Sequence, residues 1–200
     1  MQSRDWIIHW KNVWSTLVIE GSTEQESRLT PNDAHLNRLE QELNVHLPRS
    51  YRAFVQVFGP GILMGSHTIL APGYRGATVI DFLANNKWQA QESARRAEPE
   101  RVGRLIAFAD FLCQYLAWDP HEIVLPEEHE YRIYLVPKQL DQPLLPIADT
   151  FPQFIEKSCI EGKFWSRIGA KCDFSWEDEK GEIRTEPVFE PIGLGPTSSV

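Results

Sequence analysis

TPNDAHLNRLEQELNVHLPRSYRAFVQVFGPG, residues 30–61, reads as two short helices hinged at a proline and stopped by a glycine turn. Thr30-Pro31-Asn32-Asp33 has a capping-box form, with the threonine hydroxyl placed to accept an early helical N–H and Pro31 where no donor is needed. Leu36, Leu39 and Leu43 then recur at spacings of three and four as one narrow apolar stripe. Pro48 lacks an N–H and restricts Leu47, so it ends that helix and opens the next. Tyr51, Phe54, Val55 and Phe58 form a second stripe, and Gly59-Pro60-Gly61 terminates it.

Upstream, Ser3 to Glu20 repeats Trp6, Trp10, Trp14 and Leu17 at spacings of three and four, which predicts an amphipathic helix with a bulky face. Such a face either packs onto the rest of the fold or docks another protein; its polar side is poor in lysine and arginine, which disfavours a membrane surface. Glu20 to Thr30 is a polar link.

Downstream, Ile62-Leu63-Met64 and Thr68-Ile69-Leu70 predict a small hairpin, and Thr78-Val79-Ile80-Asp81 a second capping box opening a helix that runs toward Pro99. Arg95, Arg96, Arg101 and Arg104 form a basic cluster, read as solvated helix surface or, less simply, an anion site. Residues 105–108, 114–119 and 131–137 read as antiparallel strands, the last alternating Tyr131, Ile133 and Leu135 against Arg132 and Tyr134. Residues 120–130 between them read as a charged loop. With Asp119, that segment gathers Glu122, Glu127, Glu128, Glu130, His121 and His129, which are metal-ligand types, but no His-x-x-x-His pair accompanies them. An ordinary hairpin connection and an acidic patch for a basic protein are the other readings. Residues 140–147 read as a proline-bounded connector, and Thr150-Phe151-Pro152-Gln153 starts a short helix that buries Phe151, Phe154 and Ile155. Beyond Glu161, the alternation of Cys172, Phe174 and Trp176 before a polar turn predicts a hairpin folded onto the sheet. Pro187, Pro191 and Pro196 predict an irregular tail, alternatively a partner-binding appendage.

The order Leu39-Glu40, Leu47-Pro48, Tyr51, Phe54, Gly59 and Gly61 resembles the signature of the SUKH superfamily, which includes the yeast Smi/Knr cell-wall regulators and bacterial immunity proteins against polymorphic toxins. Two later segments resemble it in the same order: Ile106 to Asp110 followed by Tyr115 to Asp119, and Ala148 to Ile155. The likeness covers Leu36 to Ser158 and departs at Phe111-Leu112-Cys113-Gln114, where family members carry glycines or small polar residues. It implies an α+β fold in a single domain, with a mixed, mainly antiparallel sheet flanked by helices. The expected division is a tryptophan-rich helix and linker over 1–29, a SUKH-like core over 30–160, and a C-terminal extension over 161–200.

Composition agrees with one sizeable core: 200 residues, 42% hydrophobic and 24% charged. The N-terminus lacks the layout of a signal peptide, and no apolar run approaches the roughly 18–20 residues of a membrane span, so a soluble, cytoplasmic protein is expected. Cys113, Cys159 and Cys172 are odd in number and widely spaced, as for reduced thiols. A formal charge of −8 argues against direct nucleic-acid binding. No nucleophile elbow, P-loop, dinucleotide fingerprint or metalloprotease helix occurs, and no catalytic residue, metal or cofactor is expected; an unrecognised enzyme stays as the remote alternative. The resemblance implies a protein-binding module of the immunity type, whose partner is a basic toxin domain such as a nuclease; a regulatory scaffold of the yeast type is the alternative. The expected contact residues are Trp118, Asp119, Glu122, Glu127 and Glu128.

Overall fold

The computed structural model describes residues 5–19, 30–72, 86, 90–112, 114–169, 176–177, 183–184 and 187–192. The linker over 20–29, most of the helix expected from Thr78, Cys113, Cys172, Phe174, the turn over 178–181 and the tail from 193 lie outside them.

Helix α2 (Asp33–Leu43) starts two residues later than the threonine suggests, because Asn32 is the cap: its side-chain oxygen accepts the His35 N–H at 3.0 Å. Asparagine is at least as strong a cap as threonine, so the competition is local. Helix α3 (Arg49–Phe58) follows Pro48 as expected, with Tyr51, Phe54, Val55 and Phe58 fully buried. Glu40 ties the two together: one carboxylate oxygen accepts the Leu47 N–H at 2.8 Å and the other pairs with Arg52 at 2.9 Å. The Leu-Glu and Leu-Pro pairs thus form one unit, the leucines in the core and the glutamate holding the hinge. Gly59 ends α3 with φ 72, in the left-handed region that glycine enters cheaply. Gly61 is needed for space instead, since a Cβ there would lie 2.2 Å from the Phe189 ring.

Helix α1 (Trp6–Trp14) is packed onto this pair. Trp10 is fully buried, stands edge-on to Phe54 and Phe151, and donates its indole N–H to the Ser50 carbonyl at 2.7 Å. Trp14 rests on Phe58.

The sheet is mixed and eight-stranded. Strands β2 (Gly61–Leu63), β3 (His67–Ile69), β4 (Ile106–Phe111), β5 (Gln114–Leu125), β6 (Glu130–Val136) and β7 (Leu145–Ala148) form an antiparallel meander. β10 (Val188–Pro191) lies antiparallel beside β2, and β1 (Val18–Ile19) lies parallel beside β10. Two expectations change here. Residues 145–148 are an edge strand rather than connector, with Pro146 tolerated because an edge lacks a second partner. Residues 188–191 are a strand although Pro187 and Pro191 bound it, and β1 and β10 join the sheet of residues 30–160. A separate two-stranded ribbon pairs β8 (Trp176–Glu177) with β9 (Ile183–Arg184).

Strand alternation divides the buried residues. Phe108, Leu116, Trp118, Ile133 and Leu135 face the helical layer, while Ala107, Ala117, Tyr134 and Val136 face a smaller cluster with Val102, Leu105 and Leu144. Helix α4 (Pro99–Arg104) supplies that cluster's Val102. Asn86 bonds both the N–H and the C=O of Ala107 beside the irregular pairing in β4, so neither polar group is orphaned. A helical turn, α5 (Phe151–Gln153), continues as a π-helix over Phe154–Ile160, and a short helix, α6 (Lys163–Arg167), follows. Among the described residues no helix is long and apolar enough to cross a membrane.

His67 is buried among Phe111, Phe154 and Phe164, and its Nε2 has no hydrogen-bond partner among the described residues. Burial pushes its pKa down to about 4, against the opposing pull of the Leu63 carbonyl. The unfolded chain therefore takes up this proton near pH 6.5 while the folded chain resists until about 4. Stability present above pH 6.5 should fall by about 3 kcal/mol across that window. Urea unfolding at a series of pH values measures the slope, and His67→Phe should remove it.

Candidate protein-binding surface

β5 outruns its neighbour. β4 pairs with it only as far as Ile106 opposite Trp118, because Leu105 and α4 precede. From Asp119 onward β5 has β6 on one side, through irregular pairings at Ile123 opposite Tyr131 and Leu125 opposite Glu130. Residues 120–125, expected as loop, are therefore strand. The turn is only a 3₁₀ segment, Pro126–Glu128, followed by His129 with φ 52. The alternation was obscured by Pro120 and Pro126 and by the bulges in this arm.

At the root of the arm, Asp119 is fully buried and Arg104 grips it with two bonds, at 2.9 and 2.8 Å. Arg101 adds a third at 3.3 Å, and the His121 N–H a fourth at 3.1 Å. Burial alone would raise the Asp119 pKa, but Arg104, the His121 N–H and Arg101 outweigh it and hold the carboxyl below its usual range. Arg101 also pairs with Glu98 and Glu122 and sits 4.3 Å over the Tyr134 ring, whose hydroxyl donates to Glu122 at 2.8 Å. Arg132 lies 3.5 Å from Glu122 and 3.2 Å from Asp149. Arg101 and Arg104, read from sequence as solvated surface, are thus internal counter-charges.

At the tip, Ile123 and Leu125 are 50% and 43% exposed. Glu127 is exposed and forms no ion pair or hydrogen bond among the described residues. Glu128 is half-buried and accepts the Trp6 indole N–H at 3.0 Å. His129 stacks on His46 with ring centres 4.6 Å apart, and Tyr131 donates to the His46 carbonyl at 2.9 Å. Burial lowers the His129 pKa, and the nearby His46 and Arg49 lower it further. An open groove of about 440 Å³, lined by Asn37, Glu40, Gln41, Asn44, Val45 and His46, adjoins this stack.

The five residues expected at a partner contact therefore separate. Trp118 is fully buried, stacked on Phe108 at 4.6 Å and edge-on to Tyr51 at 5.0 Å, and Asp119 is buried in its arginine clamp; neither presents surface. The reason is the strand alternation that turns Trp118 into the helical layer. Glu122 is half-buried and paired, and Glu127 and Glu128 lie at the tip. Sequence reasoning missed Ile123 and Leu125, whose signal was an Ile-Val-Leu run inside a segment read as loop. It also missed the role of Glu130, which is fully buried and accepts bonds from Ser50 and Phe151. Among the described residues no three His, Cys, Asp or Glu side chains converge as a metal ion requires.

A family model described as "SMI1 / KNR4 family (SUKH-1)" matches residues 30–157, well over half of the chain. No curated protein and no solved structure matches.

Proposed function

The chain belongs to the SMI1 / KNR4 family (SUKH-1), and from that premise we propose that it is a non-catalytic protein-binding module whose contact surface is the tip of the β5–β6 arm. The observation that carries this is an exposed apolar pair, Ile123 and Leu125, beside the Glu127 carboxylate, which has no ion-pair partner among the described residues. Apolar anchors at the centre and charge at the rim are the anatomy of a specific interface, and the charge chiefly sets the partner's sign and the speed of encounter. Residues 119–130 contain no lysine or arginine, and the whole chain carries −8, so the fitting partner is basic. Within the binding class, neutralising a basic toxin domain such as a nuclease is the role this charge suits. A fixed acidic tip competes with nucleic acid for the same basic site. In this role Trp118 and Asp119 act from behind, fixing the root of the arm.

Glu127→Lys tests the reading, because among the described residues Glu127 forms no ion pair or hydrogen bond. Association with the partner should slow by about tenfold at low salt, and the rate should lose much of its salt dependence, with unfolding unchanged. Stopped-flow or surface-binding kinetics at two ionic strengths reads both. An association rate that ignores the substitution removes the tip from the interface.

A further inference from the structure

Building on the binding surface proposed above, we infer that the free edge of β5, from Ile123 to Leu125, receives an extended basic segment of the protein partner as an added strand. β4 stops pairing at Trp118, and among the described residues no strand lies on that side of the following seven residues. Arg101 and Arg104 cover the edge only near Asp119 and Glu122. Beyond them Ile123 and Leu125 point outward on alternate positions. A strand edge offers backbone donors and acceptors at fixed spacing, and alternate side chains beside it give selectivity.

Charge decides the occupant. An edge with Ile123 and Leu125 exposed is normally a hazard for self-addition, held off by flanking prolines and like charges. Here Pro120 and Pro126 delimit the edge, and antiparallel pairing of two copies about Val124 would set Glu127 and Glu128 of each copy beside the acidic arm of the other. The same carboxylates that repel a second copy attract lysine and arginine. The fitting segment alternates apolar and basic residues.

The probe is a short synthetic peptide of alternating valine and lysine, compared with the same peptide N-methylated at alternate residues, which keeps every side chain and removes backbone donors. The unmodified peptide should slow amide exchange within 123–125 and bind the full chain at least about tenfold more tightly than the methylated one. Equal binding of the two peptides overturns strand addition, as does unchanged exchange at these amides or no binding of the unmodified peptide at about 1 mM. Ile123→Asp and Glu127→Lys separate this failure from that of the underlying reading. If both variants weaken peptides that bind equally well, the acidic tip stands and strand addition falls. If neither variant has an effect, the surface itself is wrong.

Discussion

Glu130→Ala is expected to cost about 4 kcal/mol of stability. The side chain rises from β6 into the helical layer, fully buried, and meets two helix starts. One oxygen accepts the Ser50 N–H at 3.3 Å and the Ser50 hydroxyl; the other accepts the Phe151 N–H at 3.0 Å. These N–H groups belong to the first turns of α3 and α5, where no backbone acceptor exists, and α3 follows Pro48 with no side-chain cap of its own. The carboxylate therefore stands in for that cap and lies at the positive ends of two helix dipoles. Alanine would orphan three buried donors, each costing about 1–3 kcal/mol in part offset by relaxation. The Ser50 carbonyl receives the Trp10 indole, so the loss should reach α1 as well. Glu130→Gln, which keeps the shape but turns an NH₂ toward one donor, should lose about half as much. Denaturant unfolding decides; a Glu130→Ala loss under about 1 kcal/mol would contradict this account of the core.

The Glu130 carboxyl also has a pH signature. Burial raises its pKa above the ordinary 4.5, against the pull of the Ser50 and Phe151 donors. A raised folded-state value means that its contribution is fully present below pH 4.5 and is lost as pH rises through the folded value. The sign is opposite to that of His67, whose contribution is lost on acidification, so Glu130→Gln and His67→Phe should tilt the pH profile in opposite directions.

Trp118→Ala should cost about 3–5 kcal/mol, because a ring stacked on Phe108 and edge-on to Tyr51 leaves a large cavity when removed. Trp118→Phe should cost much less, about 1 kcal/mol, since the indole N–H is buried with no hydrogen-bond partner among the described residues. Thermal or denaturant unfolding of the two variants separates this from a role in contact. A residue that meets a partner directly would leave the isolated protein's stability intact and weaken binding instead.

The helical hairpin over 30–61 was legible because its information is local: stripes at helical spacing, a proline hinge and a glycine stop. The two stripes went to the core as spaced, with Leu43 half-buried at its margin. The short hairpin after Gly61 and the helix start at Thr150 followed for the same reason. What stayed hidden depends on pairing across long stretches of chain. Val188–Pro191 becomes a strand only because β1 and β2 flank it, which no local pattern announces. Arg101 and Arg104 looked solvated until folding set them against Asp119, and Glu130 looked like one more loop acid until two helix starts met on it. Composition marked residues 119–130 as acidic, but the face of each residue followed from pairing that the prolines and bulges disguised.

The central claim is that this acidic arm tip binds a basic protein. Affinity capture from the source cell's lysate, with wild-type protein and the double variant Ile123→Asp/Glu127→Lys side by side at low and moderate salt, tests it most directly. A basic protein retained stoichiometrically by the wild type, released by salt and absent from the variant is the predicted result. Equal capture of that protein by both forms would contradict it.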